Sequence, residues 1–389
     1  MRVAVLALVC AALGAAAALG LGRAAGLVGG DTTKTVVVRE PAPAANAPAA
    51  IRTIAPGGAA GFAPASIFAR RSPGVVTIYS YFGGTEAQGS GFVVSRQGAI
   101  LTNAHVITNA GETTGTVHGA QSVYVEFADH DRVPARIVGW DVFDDVGVLR
   151  VATSAHALVP VPLGRSAAVV VGEPVAAIGS PLGNADSLAV GIVSAVRRSI
   201  AALTAPKFQL IDAIQTDAPI GHGSSGGPLL DARGRAIGIT AQIRSDQGGA
   251  AGIGFAVPID AARRSLHDLL TKGHVRYAYA GIQSEDLIPA LARHLRLPVS
   301  RGAIVDTVAG GGPAASAGLR GGSHEEQFEG ETITTGGDVI VAVDGLPVRS
   351  ADDLVRIVAN VLRPGETAVF SVVRASGGRR TVAIKLTAR

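Results

Sequence analysis

The stretch G-H-G-S-S-G-G-P-L-L (residues 221–230) decides between two folds. It contains the pattern G-x-G-x-x-G, which in a dinucleotide-binding fold joins a strand to a helix that receives a phosphate. Here Pro228 and the segment L-L-D-A-R-G-R-A-I-G-I-T (229–240) follow, and they predict strand, turn and strand. Because no helix N-terminus is offered to an anion, the glycines are better interpreted as a tight turn that exposes a serine nucleophile.

A nucleophilic serine needs partners, and the sequence offers them in two other segments. A serine hydroxyl is a poor nucleophile unless a base takes its proton; the base is most often histidine, held by a buried carboxylate. His105 follows an apolar run at a predicted loop, and Asp145 stands at the start of another predicted strand. With Ser225 on the glycine-rich turn, the chain order is His, Asp, Ser, as in chymotrypsin-like β-barrel proteases.

The surrounding chain predicts a mainly β fold. Short β-branched runs such as G-V-V-T-I-Y-S-Y-F (74–82) alternate with glycine, asparagine and aspartate from about residue 67 onward. Many short strands at this spacing are typical of a barrel or sandwich, whereas a doubly wound α/β fold needs intervening helices that are missing. The first clear helix is predicted over residues 260–273, with Asp260 as its cap and Gly273 at its end.

A second, smaller unit of the α+β type is predicted from about Tyr277. Ser350 and Asp353 form an S-x-x-D capping box at the start of a helix. The helix is predicted to present one apolar face, made of Leu354, Ile357, Val358 and Val361. The acidic segment S-H-E-E-Q-F-E-G-E-T-I-T-T (323–335) lengthens a connection in this unit, and it is either a solvated hairpin or a regulatory contact.

Three motifs resemble the active-site motifs of HtrA-type serine proteases. They are T-N-A-H-V (102–106), D-D-V-G-V-L (144–149) and G-S-S-G-G-P-L (223–229). The resemblance extends to G-S-G-F-V-V-S (89–95) and to other segments up to residue 260, and then into a PDZ-like domain. It implies a chymotrypsin-like double β-barrel with the active site between two six-stranded barrels, followed by an α+β PDZ domain. We expect the protease domain over 67–273 and the PDZ-like domain over 277–389.

The resemblance also implies a role for each site residue. His105 is the general base, Asp145 its orienting carboxylate and Ser225 the nucleophile. The backbone N–H groups of Gly223 and Ser225 form the oxyanion hole. No metal and no organic cofactor is needed for this chemistry.

Some alternatives remain open at this site. Asp144 and Ser224 are the neighbouring rivals of the acid and the nucleophile, and His222 is a less favoured base because it is close to Ser225 in sequence. The family usually has asparagine where this chain has Ser224, and Asn-Pro where it has Gly221-His222. Because backbone donors do not require those side chains, we expect the chemistry to be retained.

The substrate pocket is predicted from the residues just before the nucleophile and from the strand after it. Ile220, Thr240 and Ala241 are small or aliphatic, and no carboxylate is placed to hold a basic side chain. We therefore expect cleavage after small to medium aliphatic residues.

The PDZ-like domain is predicted to bind C-terminal peptides. Such a domain adds the peptide as a strand beside a helix, and backbone N–H groups receive the terminal carboxylate. Tyr279, Ala280, Gly281 and Ile282, the Y-A-G-I segment, resemble the carboxylate-binding loop and the first residue of the edge strand. The alternative is that the groove is occluded or only structural.

The N-terminus predicts export. Residues 3–22 are uncharged and mostly apolar, long enough for a membrane-spanning helix. We interpret 1–27 as a signal anchor, or alternatively a cleaved signal peptide, and 28–66 as an Ala/Pro-rich flexible linker. Both place the catalytic domain outside the cytoplasm, membrane-anchored or secreted. Cys10, the only cysteine, lies in the apolar run, so no disulfide or Cys-based metal site is expected elsewhere.

The charge pattern argues against a nucleic-acid partner. The net charge is +4, and the 34 basic residues are scattered rather than collected in a stripe. We expect unfolded or misfolded proteins as substrates and a homotrimer, both on the family resemblance alone. The alternatives are a catalytically weak chaperone or peptide-binding scaffold, and an esterase with the same triad.

Overall fold

The computed structural model describes residues 61–110, 116–180, 187–201, 204, 209–221, 223–241, 253–374 and 376–388. The predicted signal segment and most of the predicted linker lie outside these residues. No helix within the described ranges is long and apolar enough to cross a membrane. Helix α1 (Pro64–Arg71) begins before residue 66, the predicted end of the linker. Its Ile67 is fully buried in the core of the protein, so this helix packs against the protease domain.

The first barrel is a closed sheet of six strands in the order β1-β2-β3-β6-β5-β4. Its strands are β1 (Val75–Tyr81), β2 (Glu86–Val93), β3 (Ala99–Thr102), β4 (Ser122–Glu126), β5 (Arg132–Asp141) and β6 (Val146–Val151). Ile78, Ile100 and Leu149 are fully buried inside it. Strand β4 alternates exposed and buried residues with the period of two of a half-buried strand, whereas β3 is buried along its whole length. A single helical turn, α2 (Ala104–Ile107), follows β3.

The second barrel is also closed and has six strands, in the order β10-β11-β12-β9-β8-β7. Its strands are β7 (Pro174–Gly179), β8 (Ser187–Ala201), β9 (Gln209–Thr216), β10 (Pro228–Leu230), β11 (Ala236–Ala241) and β12 (Gly254–Pro258). Val175, Ile214 and Leu229 fill its interior. The two barrels confirm the predicted chymotrypsin-like, mainly β fold.

One hydrophobic cluster joins the two barrels and the helix that follows them. Phe92 and Leu101 enter it from the first barrel, and Leu230 and Ile239 enter it from the second. Helix α3 (Ile259–Lys272) adds Leu269. The barrels therefore share a core along their contact, in addition to the core that each encloses.

Helix α3 ends as the sequence predicts but begins differently. Gly273 closes it in the left-handed conformation, with φ of 76°. The prediction that Asp260 caps the helix is wrong, because Pro258 occupies the cap position and Asp260 lies in the first turn. The extended Pro258 ends β12 directly before the helix, so the helix begins one residue earlier. The carboxylate of Asp260 instead accepts hydrogen bonds from the Ser166 hydroxyl and the Ala167 N–H, both at 2.9 Å.

The C-terminal part is an α+β unit built on one antiparallel sheet with the order β14-β15-β18-β20-β21, and β19 pairs with β18. Its strands are β13 (Ala278–Tyr279), β14 (Ile282–Leu287), β15 (Gly302–Val308), β16 (His324–Phe328), β17 (Glu331–Thr335), β18 (Val339–Val343), β19 (Leu346–Pro347), β20 (Thr367–Val373), β21 (Arg379–Lys385) and β22 (Thr387–Ala388). Its helices are α4 (Pro289–His294), α5 (Pro313–Ser316) and α6 (Ala351–Arg356). The acidic segment forms a two-stranded hairpin of β16 and β17.

Helix α6 begins with the predicted cap. The Ser350 hydroxyl accepts the Asp353 N–H at 3.1 Å, and Leu354 and Ile357 are buried. Val361 is 52% exposed, so its predicted place on the buried face is wrong. After residue 356 the chain continues as a π-turn, which is wider than an α-turn and shifts later residues off the apolar face.

Candidate active site

His105 and Asp145 form a hydrogen-bonded pair on the first barrel. Helix α2 presents His105 directly after β3, and its Nδ1 lies 2.8 Å from Asp145 Oδ2. Because an ionised carboxylate can only accept, Nδ1 carries the proton and Nε2 is left as the basic nitrogen. The His105 N–H also donates to the second carboxylate oxygen, at 3.0 Å. Two bonds to one carboxylate fix both the ring and its backbone.

The chain holds Asp145 in an uncommon conformation. Its φ is 51°, in the left-handed region, which aspartate and asparagine enter more readily than other non-glycine residues. The Asn103 amide donates to the Asp145 carbonyl at 2.9 Å and stabilises this turn. The neighbouring Asp144 turns the other way, and its carboxylate accepts from Arg264 at 2.5 Å. The structure thus brings Asp145 to His105 and leaves Asp144 in a different contact.

The surroundings of His105 favour its protonated form. Burial alone would lower the pKa of His105, but the charge of the Asp145 carboxylate and its hydrogen bond outweigh burial and raise the pKa above 6.5. The imidazolium form that a general base passes through is therefore stabilised in place.

Ser225 lies on a turn whose backbone conformation requires glycines. The Ser224 N–H donates to the Gly221 carbonyl at 3.0 Å, and Gly223 has φ of 88°. Gly226 must be glycine, because its φ is 91° and an added Cβ would fall 2.0 Å from the Ser90 carbonyl oxygen. His222, the less favoured base, lies outside the described residues.

The turn of Ser225 and the turn of His105 meet at Gly89 on strand β2. A Cβ added at Gly89 would lie 2.7 Å from the Val106 side chain and 3.1 Å from the Ser225 carbonyl oxygen. The Ser90 N–H donates to the same carbonyl at 2.7 Å. The turn that carries the candidate nucleophile therefore lies next to the turn that carries the candidate base.

The predicted pocket residues occupy unequal positions. Ile220 is half-buried and faces Gly254 on β12, where an added Cβ would lie 2.6 Å from Ile220 Cδ1. Thr240 and Ala241 are buried in β11. The Thr240 hydroxyl donates to the Ser224 carbonyl at 2.5 Å, so it supports the nucleophile turn. Ile220 is the one of the three whose side chain is partly exposed.

The predicted peptide-binding residues lie at the edge of the C-terminal sheet. Tyr279 is in β13, Gly281 has φ of 75°, and Ile282 begins β14, which is the last strand of the sheet on that side. The Gly281 carbonyl accepts the Ala309 N–H from the turn before α5, and the Ala280 carbonyl accepts the Ala314 N–H of α5, both at 2.9 Å. An edge strand beside helix α6 is the arrangement that peptide addition requires.

Two residues near the site were missed as functional candidates. Ser90 and Thr102 are both fully buried, and both contact the nucleophile turn or the strand beneath it. The motif G-S-G-F-V-V-S contained the signal, because a serine between two glycines within a strand is a polar group at a place of close backbone approach.

The described residues contain no group of three or more His, Cys, Asp or Glu side chains arranged to hold a metal ion. Two closed six-stranded barrels, with His105 paired to Asp145 and the turn of Ser225 next to this pair, are typical of the class of chymotrypsin-like serine proteases. The chain matches the trypsin-like peptidase domain family over residues 89–239 and the PDZ domain family over 278–386.

Comparison with individual proteins narrows the class. The chain is 36% identical over 310 residues to a protein of Hahella chejuensis named as a probable periplasmic DegP-like serine endoprotease, covering 79% of this chain and 59% of that protein. It is 38% identical over 290 residues to the chloroplastic Protease Do-like 1 of Arabidopsis thaliana, covering 74% and 61% of the two chains. The chain thus spans about three fifths of the length of these relatives.

A solved structure gives fuller coverage. The HtrA-type protease AlgW with a bound tripeptide superposes with a TM-score of 0.69 at 31% identity, covering 84% of this chain and 97% of that one. The chain belongs to the HtrA-type serine proteases, with one PDZ domain after the protease domain.

Proposed function

We propose that this protein is a serine endopeptidase that cleaves unfolded or misfolded proteins outside the cytoplasm. One observation carries the proposal: the hydrogen-bonded pair of His105 and Asp145 lies beside the turn of Ser225, where the two barrels meet. Only an extended segment of chain enters such a cleft easily, and an unfolded protein supplies one. The names of the bacterial relatives, which place those proteins in the periplasm, agree with this location.

In the first step Ser225 attacks the carbonyl carbon of the peptide bond. His105 Nε2 accepts the hydroxyl proton as the new C–O bond forms, and the carbonyl electron pair moves onto oxygen. Asp145 stabilises the imidazolium that results. The N–H groups of Gly223 and Ser225 donate to the oxyanion, and stabilisation of this kind is often the largest contribution to such catalysis.

In the second step the peptide bond breaks. His105 returns its proton to the leaving amine as the C–N bond cleaves, and the acyl group remains on Ser225. Water then attacks the ester carbon while His105 takes a proton from it, and His105 returns this proton to Ser225 Oγ as the acyl C–O bond breaks, which releases the carboxylic acid and the free serine. Because His105 must be neutral to begin, the rate increases with pH through its raised pKa.

The substrate pocket is proposed to accept small to medium aliphatic side chains. Ile220 narrows it against Gly254, and the neighbouring wall residue Ala241 is small. Mass-spectrometric mapping of casein fragments measures the residue before each cut. A majority of cuts after lysine or arginine would contradict the proposed pocket.

The remaining parts are proposed to bring substrate and enzyme together. The edge strand at Ile282 and helix α6 form a groove for C-terminal peptides, and residues 3–22 are long enough to tether the protein to a membrane. A homotrimer is the assembly that the family resemblance implies. Fractionation of cells that express the full chain tests the proposed tether. The proposal is wrong if the protein is found in the soluble fraction with its N-terminus intact.

The catalytic proposal is tested by casein hydrolysis and by labelling with a fluorophosphonate probe. Ser225→Ala is expected to lower turnover by roughly 10⁴-fold to 10⁶-fold and to abolish labelling, since the nucleophile acts as a unit with its base. Ser224→Ala is the matched control, because it removes the adjacent hydroxyl and leaves the proposed nucleophile in place.

Each outcome decides between the alternatives. Label on Ser225 together with loss of hydrolysis in Ser225→Ala supports the protease. Equal hydrolysis by the wild type and Ser225→Ala would overturn it. A wild type without hydrolysis that still binds unfolded casein would favour the scaffold.

A further inference from the structure

Ser90 connects the first barrel to the turn that carries the nucleophile. Its side chain is fully buried on strand β2. The Ser90 hydroxyl donates to the Gly223 carbonyl at 2.6 Å and accepts the Ser180 N–H at 2.9 Å. Its backbone N–H donates to the Ser225 carbonyl at 2.7 Å. One residue therefore bonds to both residues whose N–H groups form the proposed oxyanion hole.

The position of Ser90 is itself fixed. Thr102 Oγ1 donates to the Ser90 carbonyl at 2.7 Å, and Thr102 is also fully buried. On either side, Gly89 and Gly91 have no room for a side chain, since an added Cβ would lie 2.7 Å from a neighbouring side chain at each position. The glycines let the strand approach the turn, and Ser90 supplies the polar group at the point of contact.

The turn needs such an external support. Gly223 has no Cβ and has a positive φ, so its own conformational preference is weak. Hydrogen bonds within the turn, such as that from the Ser224 N–H to the Gly221 carbonyl, are therefore supplemented by bonds from outside it. If the Gly223 carbonyl rotated away, the Ser90 hydroxyl would lose its acceptor at a site that water does not reach, which is unfavourable.

We propose that Ser90 is a positioning residue for the oxyanion hole. By holding the carbonyls of Gly223 and Ser225, it keeps the N–H groups of the turn directed at the place where negative charge develops. It touches neither the substrate nor the reacting atoms. The inference rests on the proposed protease function and adds to it the group that keeps the hole assembled.

The test compares Ser90→Ala with Ser80→Ala. Ser80 is a matched control, because it is also fully buried in the first barrel, on β1, and its hydroxyl has no hydrogen-bond partner among the described residues. Ser90→Ala is expected to lower kcat per folded molecule by about 10-fold to 100-fold and to change KM less than about twofold, since misaligned donors act on the transition state. Inhibition by a peptide boronate, which occupies the oxyanion hole, should weaken by a similar factor.

A merely structural role predicts different readouts. The melting temperature, followed by circular dichroism, would fall more in Ser90→Ala than in Ser80→Ala, while kcat per folded molecule and boronate inhibition would stay at wild-type values. That result overturns the proposal. Ser90→Cys keeps a side-chain donor, although the thiol is slightly larger and a weaker donor than the hydroxyl. Its kcat should lie between those of the wild type and Ser90→Ala, and it replaces Ser90→Ala in the test if that variant does not fold. A wild-type kcat in Ser90→Cys then also overturns the proposal.

The two proposals fail separately. If the wild type has no Ser225-dependent hydrolysis, the protease function is wrong. If the wild type is active and the Ser90 variants match it, only the positioning role is wrong.

Discussion

Asp141 and Asp144 lie in one buried cluster behind the active site. The Tyr277 hydroxyl contacts both carboxylates, at 2.9 Å from Asp144, and the Ser265 hydroxyl donates to Asp141 at 2.7 Å. Burial, together with repulsion from Asp144, raises the pKa of Asp141 to about 6, although the hydrogen bonds from Tyr277 and Ser265 oppose the shift. Burial and the two carboxylates also raise the pKa of Tyr277, so its hydroxyl stays a donor.

The raised pKa of Asp141 makes stability depend on pH. Between about pH 4 and pH 6 the folded state binds more protons at Asp141 than the unfolded chain does, so stability falls as pH rises through this window. Asp141→Asn removes this loss. The free energy of unfolding of the variant, minus that of the wild type, is expected to increase by on the order of 2 kcal/mol from pH 4.5 to pH 7.5. Thermal melts of both proteins at the two pH values measure the change.

A surface substitution controls for the loss of a charge. Asp268→Asn breaks the exposed pair with Lys272 on helix α3. For each variant we compare its stability with that of the wild type. We expect this stability difference to vary with pH more for Asp141→Asn than for Asp268→Asn. Equal pH dependence of the two differences would show that Asp141 has no special role.

For single residues, the sequence suggested which side chains belong to the site but not which hydrogen bonds hold them in place. The family resemblance pointed to Asp145, which lies in hydrogen-bond contact with His105, and to Ser225, whose role as nucleophile stays a prediction. It did not predict that the Thr240 hydroxyl supports the nucleophile turn or that Ser90 does so from the other barrel, because those bonds join segments far apart in sequence.

Among the elements, helix α3 has contacts on three sides. Its Arg264 donates to Asp144 at 2.5 Å and to the Asn360 side chain at 2.7 Å, and it lies over the Tyr277 ring. Asp144 belongs to the β5–β6 turn of the first barrel, and Asn360 belongs to the π-turn after α6. Arg264 therefore joins the protease domain to the helix that borders the proposed peptide groove.

Arg264→Leu is expected to destabilise the fold around this helix. It leaves the largely buried Asp144 without its cation, beside a second carboxylate, which costs about 2–4 kcal/mol. Urea unfolding followed by the fluorescence of Trp140, the only tryptophan, reports the first barrel next to this contact. Arg263→Leu on the same helix removes a more exposed pair and should cost about 1 kcal/mol or less. Similar losses in the two variants would contradict the role assigned to Arg264.

The elements were predicted where their own pattern specified them. Helix α3 has helical spacing and a terminal glycine, and the strands have β-branched runs. Only the first residues of helix α1, up to residue 66, were assigned to the linker, because their surroundings are rich in Ala, Pro and Gly and the helix buries only Ile67. The π-turn was also missed, since the wider turn is set by contacts such as the bond from Arg264 to the Ala359 carbonyl.

For the whole molecule, the shared core predicts cooperative unfolding of the two barrels. Leu269 of α3 packs in the cluster that both barrels enter, whereas the C-terminal unit has separate clusters around Phe370 and Val373. Leu269→Ala should therefore lower the free energy of opening, as measured by amide hydrogen exchange, by a similar amount in both barrels, about 2–4 kcal/mol. Native-state hydrogen exchange at Val148 and Ile239 measures it.

The C-terminal unit serves as the internal control for this experiment. Exchange at Val372, which is buried in the separate cluster, should change little in Leu269→Ala. A loss of protection confined to the second barrel would mean that the barrels open independently.

The division of the site between the barrels has a consequence for biosynthesis. A ribosome delivers the base first and the nucleophile 120 residues later, and the strand that closes the second barrel ends only at Pro258. Until that segment has emerged and both halves have docked, the growing polypeptide holds an imidazole with no alcohol to activate. The proposed protease therefore has no complete triad while the chain is being translated.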